Sequence, residues 1–182
     1  MLIADTAINT KIRTLKDLIQ FLNRGEFEAV TEQLGEVFFS PEEFEPFASW
    51  QEHKYTRNCI ARTADYELVL LCWQPQQATA IHCHDDKECW VKVVQGSFEE
   101  KMYCSAEKEV SDTGVRTLGQ FEVTSATEAT FLHSLKNTSN QRAMTLHLYM
   151  KPIEKCRVYN LDSKEMKVVY MKYDTIEGEV VD

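Results

Sequence analysis

No stretch of this 182-residue chain approaches the roughly 20 consecutive apolar residues that a helix needs to cross a bilayer. A soluble protein with no membrane partner is therefore expected. Positive charge is also scarce: 20 Lys and Arg stand against 29 Asp and Glu, a formal net charge of −9. That balance disfavours a nucleic-acid partner, which calls for a basic patch to displace counterions from phosphates. The six cysteines form no C-x-x-C pair and follow no regular spacing, so they read as reduced thiols rather than a disulfide frame. Residues 1–5, MLIAD, show no basic segment leading into an apolar stretch, so no secretion signal is expected and the location is read as cytoplasmic. Internal repeats, low-complexity tracts and nucleotide-binding motifs are all lacking.

What is present divides near residue 50. The length suits one domain with a real core, residues 1–182, with helices over 1–50 and strands over 51–182. Thr14 is placed to cap a helix whose apolar positions Leu15, Leu18, Ile19 and Leu22 follow the 3.6-residue period, and Gly25 stops it. Residues 27–38 form a second amphipathic stretch. Ser40-Pro41-Glu42-Glu43 then joins a capping serine, a first-turn proline and a glutamate three residues after the cap, predicting a third short helix towards Trp50. Beyond Tyr55 the pattern turns to short strands, expected at 66–73, 89–94, 98–104, 117–123, 129–133, 144–149 and 167–173, with 105–114 as an exposed loop. Many short strands at this spacing predict a sandwich or small barrel.

Histidine is rare, with five in the chain, yet two of them lie in AIHCHDDKECW, residues 80–90. On a strand His82 and His84 would share a face while Cys83 points the other way. His133 lies about fifty residues downstream in FLHSLKN, on what reads as another strand. Two imidazoles from one strand and one from another suit a half-open metal site. An isolated H-x-H pair is more often a surface accident, so the wider pattern has to decide. That pattern is H-x-H, Cys89 after four more residues, Gly96 after six more, and later His133 with Asn137 behind it.

This order resembles the two metal-binding motifs of the cupin superfamily, a mainly β fold built as a double-stranded β-barrel (jelly-roll), here with an N-terminal helical segment. The glutamate of the first cupin motif is replaced by Cys89, which narrows the resemblance to the cysteine dioxygenase (thiol dioxygenase) family. YTRN at 55–58, LCW at 71–73, VVQGSFEEKMY at 93–103 and TLHLYMKP at 145–152 carry the same resemblance, which spans much of 55–156. Two places depart from it: Met150-Lys151-Pro152 lacks the first of two prolines common in relatives, and TEATFLH lacks the glycine of the general second cupin motif.

The resemblance implies His82, His84 and His133 as ligands of Fe(2+), L-cysteine and dioxygen as substrates, cysteine sulfinate as product, and a monomer. Three neutral imidazoles leave the anion to the substrate; by ligand type alone zinc, manganese and nickel stay open. Arg57 in YTRN matches the arginine that grips the substrate carboxylate, a task suited to a planar fork of donors. Tyr55 matches a second pocket residue, and Trp73 a buried aromatic. On strand 143–150 Thr145, His147 and Tyr149 share one face. Alternation alone leaves open whether it lines a cavity or faces water, and the resemblance places Tyr149 near the metal with Thr145 and His147 orienting it. Cys89 and Tyr149 match the pair that forms a thioether crosslink in some relatives, and Cys156 matches a cysteine near the substrate entrance. Two rivals remain: a dioxygenase for another small thiol such as 3-mercaptopropionate, and a cupin that binds a metal or ligand without chemistry.

Overall fold

The computed structural model describes residues 10–84, 87–106, 109–126 and 131–181. Its first helix, α1 (Leu15–Asn23), starts where the capping pattern puts it: Thr14 Oγ1 accepts the Asp17 N–H, and the Asp17 carboxylate accepts the Thr14 N–H in return. Gly25 leaves the helix at φ +74°, a conformation that costs other residues energy. The second helix, α2 (Phe27–Gln33), is shorter than the 27–38 stretch expected, because Gly35 follows its last turn and the chain runs on extended. Ser40 and Glu43 form the predicted capping box, but Pro41–Phe47 winds as a 3₁₀ helix, with Pro46 contributing no N–H to an α-helical ladder.

Thirteen strands follow among the described residues: β1 (Thr56–Arg62), β2 (Tyr66–Trp73), β3 (Ile81–Cys83), β4 (Cys89–Gln95), β5 (Phe98–Ala106), β6 (Glu109–Leu118), β7 (Val123–Ala126), β8 (Phe131–Asn137), β9 (Ala143–Met150), β10 (Lys155–Asn160), β11 (Glu165–Tyr170), β12 (Thr175–Ile176) and β13 (Glu179–Val180). They form two sheets, ordered β13-β12-β1-β2-β9-β4-β7 and β11-β10-β3-β8-β5-β6. The fold is mainly β, the double-stranded barrel expected of a cupin. Among the described residues no helix is long and apolar enough to cross a membrane.

The space between the sheets is filled from both sides by Val69, Leu71, Trp73, Val91, Phe98, Leu135 and neighbours. Alternate residues of the same strands, Leu68, Leu70, Met144, Leu146 and Leu148, point outward and are covered by Leu18, Leu22, Val30, Leu34 and Phe44 of the helical segment. The helices thus close the outer face of the larger sheet. This explains why every residue of β2 is buried, and each such aliphatic side chain stabilises the fold by about 1.5–3 kcal/mol. Polar ties fix the seam: Tyr66 Oη donates to Asn23 Oδ1 at 2.7 Å, and the fully buried Lys92 donates to the carbonyls of Leu34 and Phe121, both at 2.8 Å.

Three strand assignments differ from the expectation. The loop expected at 105–114 is largely the β5–β6 hairpin, whose residues 107–108 lie outside the described residues. Its polar sequence suits β6 because that strand is a sheet edge, open to water. The strand expected at 117–123 breaks instead into the end of β6 and a turn over 119–122, where Phe121 has φ +73°. The strand expected at 129–133 begins outside the described residues and is seen as β8. β1, β10, β12 and β13 went unpredicted.

Candidate metal centre

β3 and β8 are neighbours, with His82 directly opposite His133, and His84 follows one residue beyond the end of β3 on the same side. The Nε2 atom of His84 lies 3.2 Å from that of His82 and 3.4 Å from that of His133. A single ion about 2.1 Å from each nitrogen separates them by about 3.0 Å at right angles and about 3.4 Å in a tetrahedron. The histidines therefore fit one ion. Cys83, as alternation requires, turns away and packs with Ile81, Leu132 and Tyr159.

Hydrogen bonds at the far side of two rings settle which nitrogens are bare. His82 Nδ1 donates to the Ala80 carbonyl at 2.9 Å, and His133 Nδ1 donates to Glu100 Oε1 at 2.7 Å. Both rings are thereby left with lone pairs on Nε2. Burial, then the neighbouring His133, pulls the pKa of His82 down to about 3. Burial, then His82 and His133, pulls that of His84 well below its usual value. His82 and His84 resist protons, and the three ring nitrogens converge, which is the donor chemistry of a metal site.

Glu100 was not anticipated. It stands on β5 across from Arg116 of β6, is 1% exposed, and accepts from His133 on one oxygen and from Arg116 Nε at 2.6 Å on the other. Burial opposes its charge, but these two donors hold its pKa below the carboxylate range. The one signal in the sequence is a glutamate in step with Phe98 and Met102 on an otherwise apolar strand face.

A cavity of about 250 Å³ opens above the histidines. Arg57, Tyr55, His147 and Tyr149 line it together with His82, His84 and His133, while Cys89, Trp73 and Thr145 lie outside its lining. Arg57 comes from β1 and is 7% exposed, yet its Nε and NH2 have no hydrogen-bond acceptor among the described residues. Glu67 Oε1 lies 3.9 Å from its NH2, and the Tyr149 side chain lines the same cavity. Burial and the Cys89 thiol keep the Tyr149 phenol well above its usual pKa, so it is a neutral donor.

The polar face of β9 turns inward. Trp73 Nε1 donates to Thr145 Oγ1 at 2.9 Å, and Thr145 Oγ1 lies 2.9 Å from His147 Nε2. Indole only donates, so the threonine hydroxyl passes its own proton to Nε2. A neutral His147 then carries its hydrogen on Nδ1, which is buried with no partner among the described residues. Burial, then Arg57, keeps this ring below the usual histidine pKa. Tyr55 stacks on Trp73, with ring centroids 4.6 Å apart.

Cys89 on β4 stands directly across from Tyr149 on β9. Burial raises the pKa of this thiol. Cys156 also lines the cavity and donates to Met171 Sδ at 3.4 Å. The remaining motif residues hold the frame. Gly96, at φ +92°, lets the β4–β5 turn approach Ala143, whose Cβ lies 2.6 Å from where a Cβ of residue 96 would stand. Asn137 donates to the carbonyls of Gln74 and Gln141.

Cysteine dioxygenase type 1 from Rattus norvegicus is 29% identical, covering 92% of this chain and 90% of its own. The Homo sapiens and Danio rerio enzymes of the same name are 28% and 26% identical over similar spans. Among solved structures, a double-stranded β-helix protein from Klebsiella pneumoniae covers 58% of this chain and 79% of its own at 16% identity and a TM-score of 0.47. The model of the family "Cysteine dioxygenase type I" matches residues 3–162, and the chain belongs to that family.

Proposed function

We propose that this protein is an iron(II)-dependent, non-haem dioxygenase that converts L-cysteine and dioxygen to cysteine sulfinate. The observation that carries this reading is one cavity holding three converging imidazole nitrogens and a buried arginine with two free N–H groups. A buried guanidinium without an acceptor calls for an anion, and its fork pairs with a carboxylate through two charge-assisted hydrogen bonds. His82, His84 and His133 would hold the iron, which would supply a site for the thiolate and amine beside dioxygen and activate that oxygen.

The chain's own residues bind and orient. Arg57 takes the substrate carboxylate and so aims the sulfur at the histidine cluster, a gain in proximity rather than in acid–base power. Tyr55, stacked on Trp73, walls the pocket beside it. Tyr149 donates a hydrogen bond into the reaction zone from the wall it shares with Arg57. His147, anchored through Thr145 to Trp73, presents Nδ1–H to the same space. No acidic side chain lines the cavity among the described residues, so the amino group of cysteine would be left to the metal. A thiol without a carboxylate, such as cysteamine, would leave Arg57 buried and unpaired.

The facing of Cys89 and Tyr149 supports a thioether between Sγ and the phenol ring. Two electrons and two protons would leave to dioxygen, and the chain would lose about 2 Da, which intact mass reads directly. One domain, a monomer and a cytoplasmic location complete the proposal.

Oxygen uptake by iron(II)-loaded protein, with L-cysteine, 3-mercaptopropionate and cysteamine in parallel and products identified by mass, tests it. Sulfinate formed preferentially from L-cysteine supports the reading. Preference for 3-mercaptopropionate would move the assignment to another small thiol. Tight metal binding with no uptake on any thiol would leave a metal-binding barrel without this chemistry.

A further inference from the structure

The match to the family ends at residue 162, yet the segment after β11 returns to the cavity and packs behind Arg57. Asp174 fixes it there. Its backbone N–H donates to the Arg57 carbonyl at 2.7 Å, and its carboxylate accepts the Arg57 N–H at 2.9 Å, Lys54 Nζ at 2.7 Å and Gln51 Nε2 at 2.9 Å. Tyr173, its neighbour, reaches Glu67.

Glu67 is fully buried on β2 and is the carboxylate facing Arg57. An unhindered arginine–carboxylate pair closes to about 2.8 Å. Here the closest approach is 3.9 Å, between Arg57 NH2 and Glu67 Oε1. Both carboxylate oxygens are engaged elsewhere: Oε1 accepts the Tyr173 hydroxyl, and Oε2 accepts the Ile153 N–H at 2.8 Å. Arg62 NH1 donates to Tyr173 Oη at 3.2 Å, which commits the phenol hydrogen to Glu67. Burial, then the hydrogen bond to Glu67, raises the phenol pKa, so it stays a donor.

We propose that Tyr173 and Glu67 are positioning residues for Arg57: the tyrosine hydroxyl holds the buried carboxylate off the guanidinium, so that Arg57 has a counter-charge in the empty cavity while its two donors stay free for a substrate carboxylate. The proposal rests on the reading of Arg57 as the carboxylate-binding residue. Without the phenol donor, Oε1 has the guanidinium as its nearest cationic neighbour, and two carboxylates then compete for one fork.

The test is a cycle of Tyr173→Phe, Glu67→Gln and the double variant in iron(II)-loaded enzyme, with Arg57→Ala alongside. Steady-state constants are read together with anaerobic L-cysteine binding, and each variant's melting transition checks its fold. Tyr173→Phe is expected to raise KM and the dissociation constant for L-cysteine by about five- to tenfold, with kcat within about twofold, since only the charged pairing is contested. Its effect on cysteamine turnover should be negligible. In the double variant the competitor is gone, and both constants should return to within about twofold of wild type. An unchanged KM in Tyr173→Phe, or a rise that persists in the double variant, overturns the proposal. If Arg57→Ala itself leaves L-cysteine binding unchanged, the arginine reading fails and this proposal with it. Should Tyr173→Phe fail to fold, Glu67→Gln alone decides: weaker L-cysteine binding in that variant overturns the idea of a restrained competitor.

Discussion

Removing the Glu100 carboxylate should weaken metal binding without touching a ligand. Of the three histidines, His133 alone is backed by a charged side chain: His82 leans on a backbone carbonyl, and His84 Nδ1 has no partner among the described residues. The His133–Glu100 bond is short, 2.7 Å, and buried, and it fixes the tautomer that leaves Nε2 bare while making the ring a stronger donor. In Glu100→Gln an amide oxygen can still accept from Nδ1, so the charge and the Arg116 hydrogen bond are lost while the ring keeps its partner, and the metal dissociation constant should rise about tenfold. In Glu100→Ala the ring loses its orientation too, and about 100-fold is expected, equivalent to about 2.7 kcal/mol. Competition for iron(II) or cobalt(II) against a chromophoric chelator measures this with no turnover needed, and circular dichroism confirms that the barrel persists. Arg116→Met should fall between wild type and Glu100→Gln, because Arg116 touches the carboxylate and not the histidine. Wild-type affinity in Glu100→Ala would refute the argument.

Other consequences are open to simpler measurements. Arg57→Ala should raise KM for L-cysteine by at least about 100-fold, as expected for losing a bidentate charged contact, while chelator competition shows metal affinity nearly unchanged. Thr145→Val leaves Trp73 Nε1 and His147 Nε2 without partners and should lower unfolding free energy by about 1–3 kcal/mol in urea, with Thr145→Ser restoring most of it. Gly96→Ala should cost about 2–4 kcal/mol, since the positive φ adds strain to the 2.6 Å clash with Ala143. For metal-free protein, His84 and His147 are kept neutral when folded but take protons near pH 6.5 when unfolded. Above that pH both states are neutral and nothing is gained; below it the unfolded state binds more protons, so stability falls on acidification by up to about 1.4 kcal/mol per pH unit for each ring. Urea midpoints unchanged between pH 7.5 and 5.5 would contradict this.

The amino-acid order by itself determined the capped helix at Leu15–Asn23, the strand Tyr66–Trp73 and the candidate ligands, because capping, strand-favouring composition and motif spacing are local properties of neighbouring residues. It also put Thr145, His147 and Tyr149 on one face, but alternation has no means of saying which side of a sheet meets water. Tertiary structure decided that: the helical segment lies over Met144, Leu146 and Leu148, which leaves the polar face to line the cavity. β1 opens on Thr56, Arg57 and Asn58, polar residues that are buried only because of the tertiary packing, which hid it. An edge strand with a wet side looks like a loop, which hid β6. Glu100, Glu67 and Tyr173 escaped for a different reason. Each matters through a partner brought close by sheet pairing or by the return of the chain, and a carboxylate's role is set by the donor it meets rather than by its own position in the sequence.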